Sequence, residues 1–137
     1  MIQRNHLSLD DAQKIVGMIQ TELEKQNAGA AIAVVDEHGE LITFVRTEGC
    51  PLPSINNAIH KAFTAAREGV ESRVIGDKAR QENFSLTNYG DLRYTGWGGG
   101  VPLKFEGAVV GAVGISGLPE EEDMKLARTT VQALGYQ

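Results

Sequence analysis

The chain reads as an α/β protein of the α+β type, a mostly antiparallel sheet flanked by helices. Three observations predict this. Two pairs of strand-like runs are each joined by a short glycine-containing turn, Glu37-His38-Gly39-Glu40 and Glu106-Gly107, whereas parallel strands need crossovers of about a dozen residues or more. Amphipathic helical stripes lie before, between and after those pairs. The length, 137 residues, suits one core, and neither repeat nor linker divides it, so residues 1–137 form a single domain.

In chain order, Ser8 offers a hydroxyl cap and Asp11 an acid three residues on. Ala12, Ile15, Val16, Ile19 and Leu23 then fall on one stripe, predicting a helix from Leu9 to Gln26. Ala30 to Asp36 and Leu41 to Arg46 are strand-like, with Gly39 supplying positive φ in the turn and Asp36 able to form an Asx-turn. Ser54 is placed to cap a helix along Ile55, Ala58, Ile59, Ala62, Phe63 and Ala66, ending near Gly69. A shorter helix is expected from Ser72 to Gln81. Asn83 to Gly100 lacks periodicity and reads as a long loop with room for one short strand. Lys104–Gly107 and Ala108–Gly117 form the second hairpin, whose many glycines imply a close neighbour. Pro119 then opens a last helix with Glu120 to Asp123 at its positive end and Met124, Ala127, Val131 and Leu134 as its stripe.

Composition excludes several classes. Hydrophobic residues are 42% and charged residues 23% of the chain, as in folded soluble domains. Thirteen Lys and Arg against eighteen Asp and Glu leave a charge of −5, which opposes binding to nucleic acid. No apolar run is long enough for a membrane helix, and the first residues lack the apolar centre of a secretory signal, so a cytoplasmic location is expected. Cys50, the lone cysteine, has no disulfide partner and reads as an inert thiol.

Candidate chemistry centres on a few residues. Gly98-Gly99-Gly100 beside Trp97 can aim backbone amides at an oxyanion next to a stacking wall, or can simply form a tight loop. A P-loop is excluded because no Gly-Lys-Ser/Thr follows, and the helical context of a dinucleotide fingerprint is missing. His60 and Lys61 project to different flanks of their helix. His60 has the chemistry of a haem-iron ligand or proton shuttle, and Lys61 that of a carboxylate partner; solvated flank positions are the plain alternative. His6 and His38 carry weaker claims, and no His-x-x-x-His, His-Glu-x-x-His or Cys/His pairing marks a structural zinc site. Arg46 and Ser116, each at a strand end, would suit a small carboxylate if the fold joins them. Ser116 lacks a nucleophile elbow. The acids at 120–123 read as helix-terminal electrostatics or a weak surface cation site.

Taken together, Ala33-Val34-Val35-Asp36-x-x-Gly39-x-Leu41-x-x-Phe44-x-Arg46, Lys61-Ala62-x-Thr64-Ala65, Gly99-Gly100-Val101-Pro102-Leu103 and Gly107-x-x-Val110-Gly111-Ala112-Val113-Gly114-Ile115-Ser116-Gly117 with Asp123 resemble the GlcG/HbpS family, also called haem-degrading or haem-binding. A branch of that family is joined to PduO-type corrinoid adenosyltransferases. The resemblance implies a profilin-like domain with a central sheet of about five strands, and symmetric homo-oligomers such as hexamers or octamers. It leaves function open, because fold does not fix chemistry. The first expectation is a small-molecule or haem-binding homo-oligomer, with a pocket formed by Arg46, Lys61, Trp97, Gly98, Gly99, Gly100, Pro102 and Ser116, and with His60 as the candidate haem ligand. The second is an enzyme acting on a small organic acid, with Lys61 or His60 as base and Gly98–Gly100 as oxyanion site. The third is a non-catalytic oligomeric scaffold.

Overall fold

Ser8 and Asp11 close a capping box. The Asp11 amide donates to Ser8 Oγ at 3.0 Å and the Ser8 amide to Asp11 Oδ2 at 3.3 Å, which starts helix α1, Leu9–Lys25. The computed structural model describes all 137 residues. After α1 come strands β1, Ala31–Asp36, and β2, Leu41–Arg46. Their turn is held by Asp36 Oδ1, which accepts from the His38 and Glu40 amides at 2.8 and 3.0 Å. Gly39 takes φ 91° there, as expected of the turn glycine.

Helix α2, Ser54–Glu68, ends at Gly69 with φ 68°. Its start differs from expectation: Pro53 holds the cap position without a side-chain bond, and Ser54 is a buried first helical residue. Helix α3 spans Ser72–Glu82. The connection to the next strand contains only a short 3-10 turn, Leu86–Tyr89, and no strand. The sheet therefore has four strands rather than about five. Strand β3, Gly100–Phe105, begins ahead of the Lys104 arm and includes Pro102; β4 is Ala108–Ser116 and α4 is Glu120–Ala133. Proline is tolerated in β3 because the order β2-β1-β4-β3 makes it an edge strand.

All three pairings are antiparallel, so the α+β class stands. Helices α1 and α4 cover one face of the sheet. There Ile15, Ile19, Leu23, Ile32, Val34, Leu103, Val113, Ile115 and Val131 form the larger core, each large side chain contributing about 1.5–3 kcal/mol by burial. Helix α2 covers the other face through Ala58, Ala62, Ala65 and Ala66, set against Ala31, Ala33, Val35 and Ala112. Alanine on alanine buries little area per residue, so this layer depends on close approach. Leu134 lies outside the expected stripe of α4 at 37% exposure, and Asp123, Leu126 and Thr130 join the buried side instead.

The connection over residues 83–99 is tied down by polar and aromatic contacts. The Arg93 guanidinium lies 3.9 Å from the Phe63 ring centre and pairs with Asp91 and Glu40, both at 3.0 Å. Tyr94 stacks on Tyr89 and donates to Glu68 at 2.6 Å. The Arg93 side chain and amide hold the Asp91 carboxyl at about 2, below its usual 3.8. A depressed carboxyl contributes stability that is full above the unfolded value and is lost as pH falls through the folded one. Asp91→Asn is therefore expected to flatten the fall in melting temperature between pH about 4 and about 2. A pair of thermal melts across that range checks it; parallel acid limbs would show that the Asp91–Arg93 contact adds nothing.

Candidate functional site

One end of the sheet gathers the starts of β1 and β3 and the ends of β2 and β4. Arg46, Ala31 and Ser116 form a cross-strand row there, and paired residues point to the same face of a sheet. Because Ala31 faces α2, so do Arg46 and Ser116.

Lys61 crosses this end. It leaves α2 and passes the strand ends, where its ammonium donates to the Ile115 carbonyl at 2.9 Å and to Asp123 Oδ2 at 3.2 Å. Asp123, in the first turn of α4, also accepts from the Leu118 amide at 3.1 Å. The two side chains are only 4% and 3% exposed, so the layers on opposite faces of the sheet are joined by a buried ion pair. Burial pushes the Lys61 ammonium down and the Asp123 carboxyl up, and each draws the other back toward its charged form. The surrounding acceptors and amide donor match a charged pair.

The three glycines make this crossing possible. A side chain on Gly98 would strike Met124 on α4, one on Gly99 the Ile115 carbonyl and crowd the Lys61 side chain, and one on Gly100 the Lys61 carbonyl. Gly99 also holds φ 126°. Two of their amides are committed within the chain and cannot form the converging oxyanion site expected of the triplet: Gly98 donates to Glu120 at 2.6 Å and Gly100 to Ser72 Oγ at 2.9 Å. Ser72 in turn donates to the Trp97 carbonyl at 2.7 Å.

Above the ion pair lies a cleft of about 280 Å3, lined by Pro51, Ser54, Asn57, Lys61, Trp97, Ser116, Leu118, Glu120 and Asp123. The Ser54 and Ser116 hydroxyls and the Asn57 amide are uncommitted within the chain and line the cleft. Glu120 is balanced by Arg73 at 3.2 Å. Arg46 stands two strands from Ser116 on the same face, exposed and without a carboxylate partner. Burial pushes the Cys50 thiol up, and the charges of Arg46 and Asp123 act on it in opposite directions, as suits an inert side chain.

Of the expected site residues, Lys61, Trp97 and Ser116 meet in the cleft, with Arg46 outside its lining, two strands from Ser116 on the same face. Pro102 does not; it lines a separate groove with Val70 and Arg128. His60 does not either: it is half-buried on the other flank of α2, where burial and nearby Arg93 hold its imidazole below the usual value. Lys61 is no solvated flank residue, since α2 is buried on two sides from Lys61 through Ala66. Ser54, Asn57, Ser72 and the Asp123 partnership went unread in the sequence. One signal for the last exists: Asp123 shares a helical face with Ala127, Thr130 and Val131.

The comparisons with known proteins bear on the chain as a whole. GlcG of Escherichia coli K12 is 30% identical over 116 residues, covering 80% of this chain and 81% of GlcG. The crystal structure of a double mutant of HbpS from Streptomyces reticuli superposes with a TM-score of 0.88 at 28% identity, covering 98% of this chain and 91% of that one. The crystal structure of a PduOC–haem complex superposes with a TM-score of 0.88 at 25% identity, covering 96% and 97%. The family model described as haem degrading protein HbpS-like matches residues 7–132. Sequence and fold thus agree, and the chain belongs to the HbpS-like family.

Proposed function

We propose that this chain is a small-molecule-binding protein acting as a homo-oligomer, a hexamer or octamer, and that the Lys61–Asp123 cleft takes a small hydroxylated organic acid. The observation that carries this reading is the set of uncommitted polar groups from Ser54, Asn57 and Ser116 above a buried, self-neutralised ion pair. Such a floor is rigid and offers no net charge. The unpaired cation on the same sheet face, Arg46, is a fork suited to a carboxylate, and the Trp97 indole forms a wall. Trp97 of the lining is 57% exposed and Leu52, next to the lining residue Pro51, is 71% exposed, apolar surface of the kind a second copy covers.

Lys61 does not favour an enzymatic reading, because both its acceptors are structural. The cleft also does not fit haem. It contains no histidine, and its floor is an ion pair rather than an apolar bed for a porphyrin. Haem is the second reading only because PduOC has been crystallised with it. In this chain it would be held at His60, whose half-buried imidazole is held by burial below its usual value and lines none of the described clefts, and so against a neighbouring copy.

Calorimetric titration with two- to four-carbon hydroxy acids tests the first reading. Saturable binding is expected, weakened at least about tenfold by Arg46→Gln and by Ser116→Val, since each removes a bond to a charged or polar ligand. Hemin titration followed at the Soret band tests the second. A sharp, saturable band lost in His60→Ala, with no response to the acids, would replace the first reading by the second.

A further inference from the structure

We infer that Glu120 is the clasp that sets the position of the Trp97 wall, and so is a positioning residue for the cleft. The inference rests on the reading of the cleft as a ligand site only where it concerns affinity; the clasp itself is a property of the free protein.

Trp97 stands on a segment with little of its own to hold it. Glycine precedes it at 96 and follows it at 98, 99 and 100, so the backbone on both sides has the widest conformational freedom of any residue type. The indole is 57% exposed, and the hydrogen bonds of the residue come from its backbone. Neither burial nor a side-chain bond fixes the ring, so ties from other elements must. On the α3 side, Ser72 Oγ donates to the Trp97 carbonyl at 2.7 Å and accepts from the Gly100 amide at 2.9 Å, while Gly96 lies directly against Gly76. On the α4 side the tie is the Gly98 amide, which donates to Glu120 Oε2 at 2.6 Å, with the Gly98 backbone resting on the Met124 side chain.

Glu120 divides its two oxygens between two tasks. Oε1 accepts from Arg73 of α3 at 3.2 Å, and Oε2 accepts from the segment. The carboxylate is thus balanced by one helix while it holds the segment, and an ionised acceptor makes the stronger bond. Glu121, the next residue, contacts the same guanidinium at 3.4 Å without reaching the segment, so it is a matched comparison in helix turn, partner and charge. Glu120 also lines the cleft, where its charge alone would repel a carboxylate ligand. Position and charge therefore act on affinity with opposite signs, which lets the two be told apart.

Trp97 is the sole tryptophan of the chain, and its fluorescence anisotropy decay reports the wall without a label. In Glu120→Ala a gain in nanosecond rotation of the indole is expected. Glu120→Gln, which keeps an acceptor for the Gly98 amide, and Glu121→Ala should match the parent. Calorimetric titration with the hydroxy acids then reads the ligand side. Binding about fivefold weaker is expected in Glu120→Ala, the scale of one hydrogen bond, and parent-like or tighter binding in Glu120→Gln. Parent-like anisotropy in Glu120→Ala, or equal loosening in Glu121→Ala, overturns the inference. A loosened indole with unchanged or tighter binding overturns its bearing on affinity. If no acid binds the parent, the reading of the cleft fails, and the anisotropy still decides the clasp.

Discussion

Asp123→Ala is expected to lower folding stability by about 3–5 kcal/mol, the largest effect of any side-chain truncation at the cleft. The residue is 2% exposed and Lys61 3% exposed. Removing the carboxylate leaves a buried ammonium with the Ile115 carbonyl as its sole acceptor, and an uncompensated buried charge is more costly than the pair itself was worth. The same substitution frees the Leu118 amide, loosening the turn that leads into α4. The double replacement Lys61→Met with Asp123→Leu removes both charges, so it should recover most of the loss. Urea denaturation of the parent, the single variant and the double variant checks this. A single-variant loss below about 1 kcal/mol, the scale of an exposed pair, would mean that water reaches the pair and that it does not tie the layers together.

Gly114→Ala is the second large effect. The added methyl would strike the Ala58 carbonyl and crowd the Ala62 amide, both backbone atoms of α2, which cannot turn aside as a flexible side chain can. Overpacking typically costs about 1–3 kcal/mol and sometimes more, and the upper end is expected because the whole alanine layer must lift. Gly17→Ala is the opposing control. Gly17 lies inside α1 with nothing within 4 Å of the added atom, so the replacement should stabilise by about 0.5–1 kcal/mol through helix propensity. Equal and small effects at the two positions, measured by denaturation midpoints, would contradict close packing of α2 on β4.

These residues also show what was legible in the sequence. Local signals were read correctly: the Ser8–Asp11 box, the Asp36–Gly39 turn and the Gly69 stop each arise within a few residues of chain. The start of β3 was missed because Gly100 and Pro102 are poor strand formers, and pairing with β4 overrides that preference. Lys61 was harder. A stripe analysis assumes one buried face, whereas α2 is enclosed by the sheet on one side and by Thr95 and α3 on the other. Thr64 Oγ1 accepts from the Thr95 amide at 3.0 Å, and this second layer cannot be read from α2 alone. The glycine triplet was recognised as unusual but assigned to ligand contact or turn geometry. Its role in letting Lys61 pass between two strand ends depends on contacts with residues far away in the chain.

The central claim is that the Lys61–Asp123 cleft is the ligand site. Its most direct test is a titration of 15N-labelled protein with the tightest-binding hydroxy acid, followed through its amide resonances. Saturating shifts are expected at Ser54, Asn57, Trp97 and Ser116 to Leu118, with residues of the α1–α4 groove such as Glu22 and Thr129 left in place. Saturating shifts centred on that groove, or on His60 and Arg93, with the cleft amides unmoved, would contradict it.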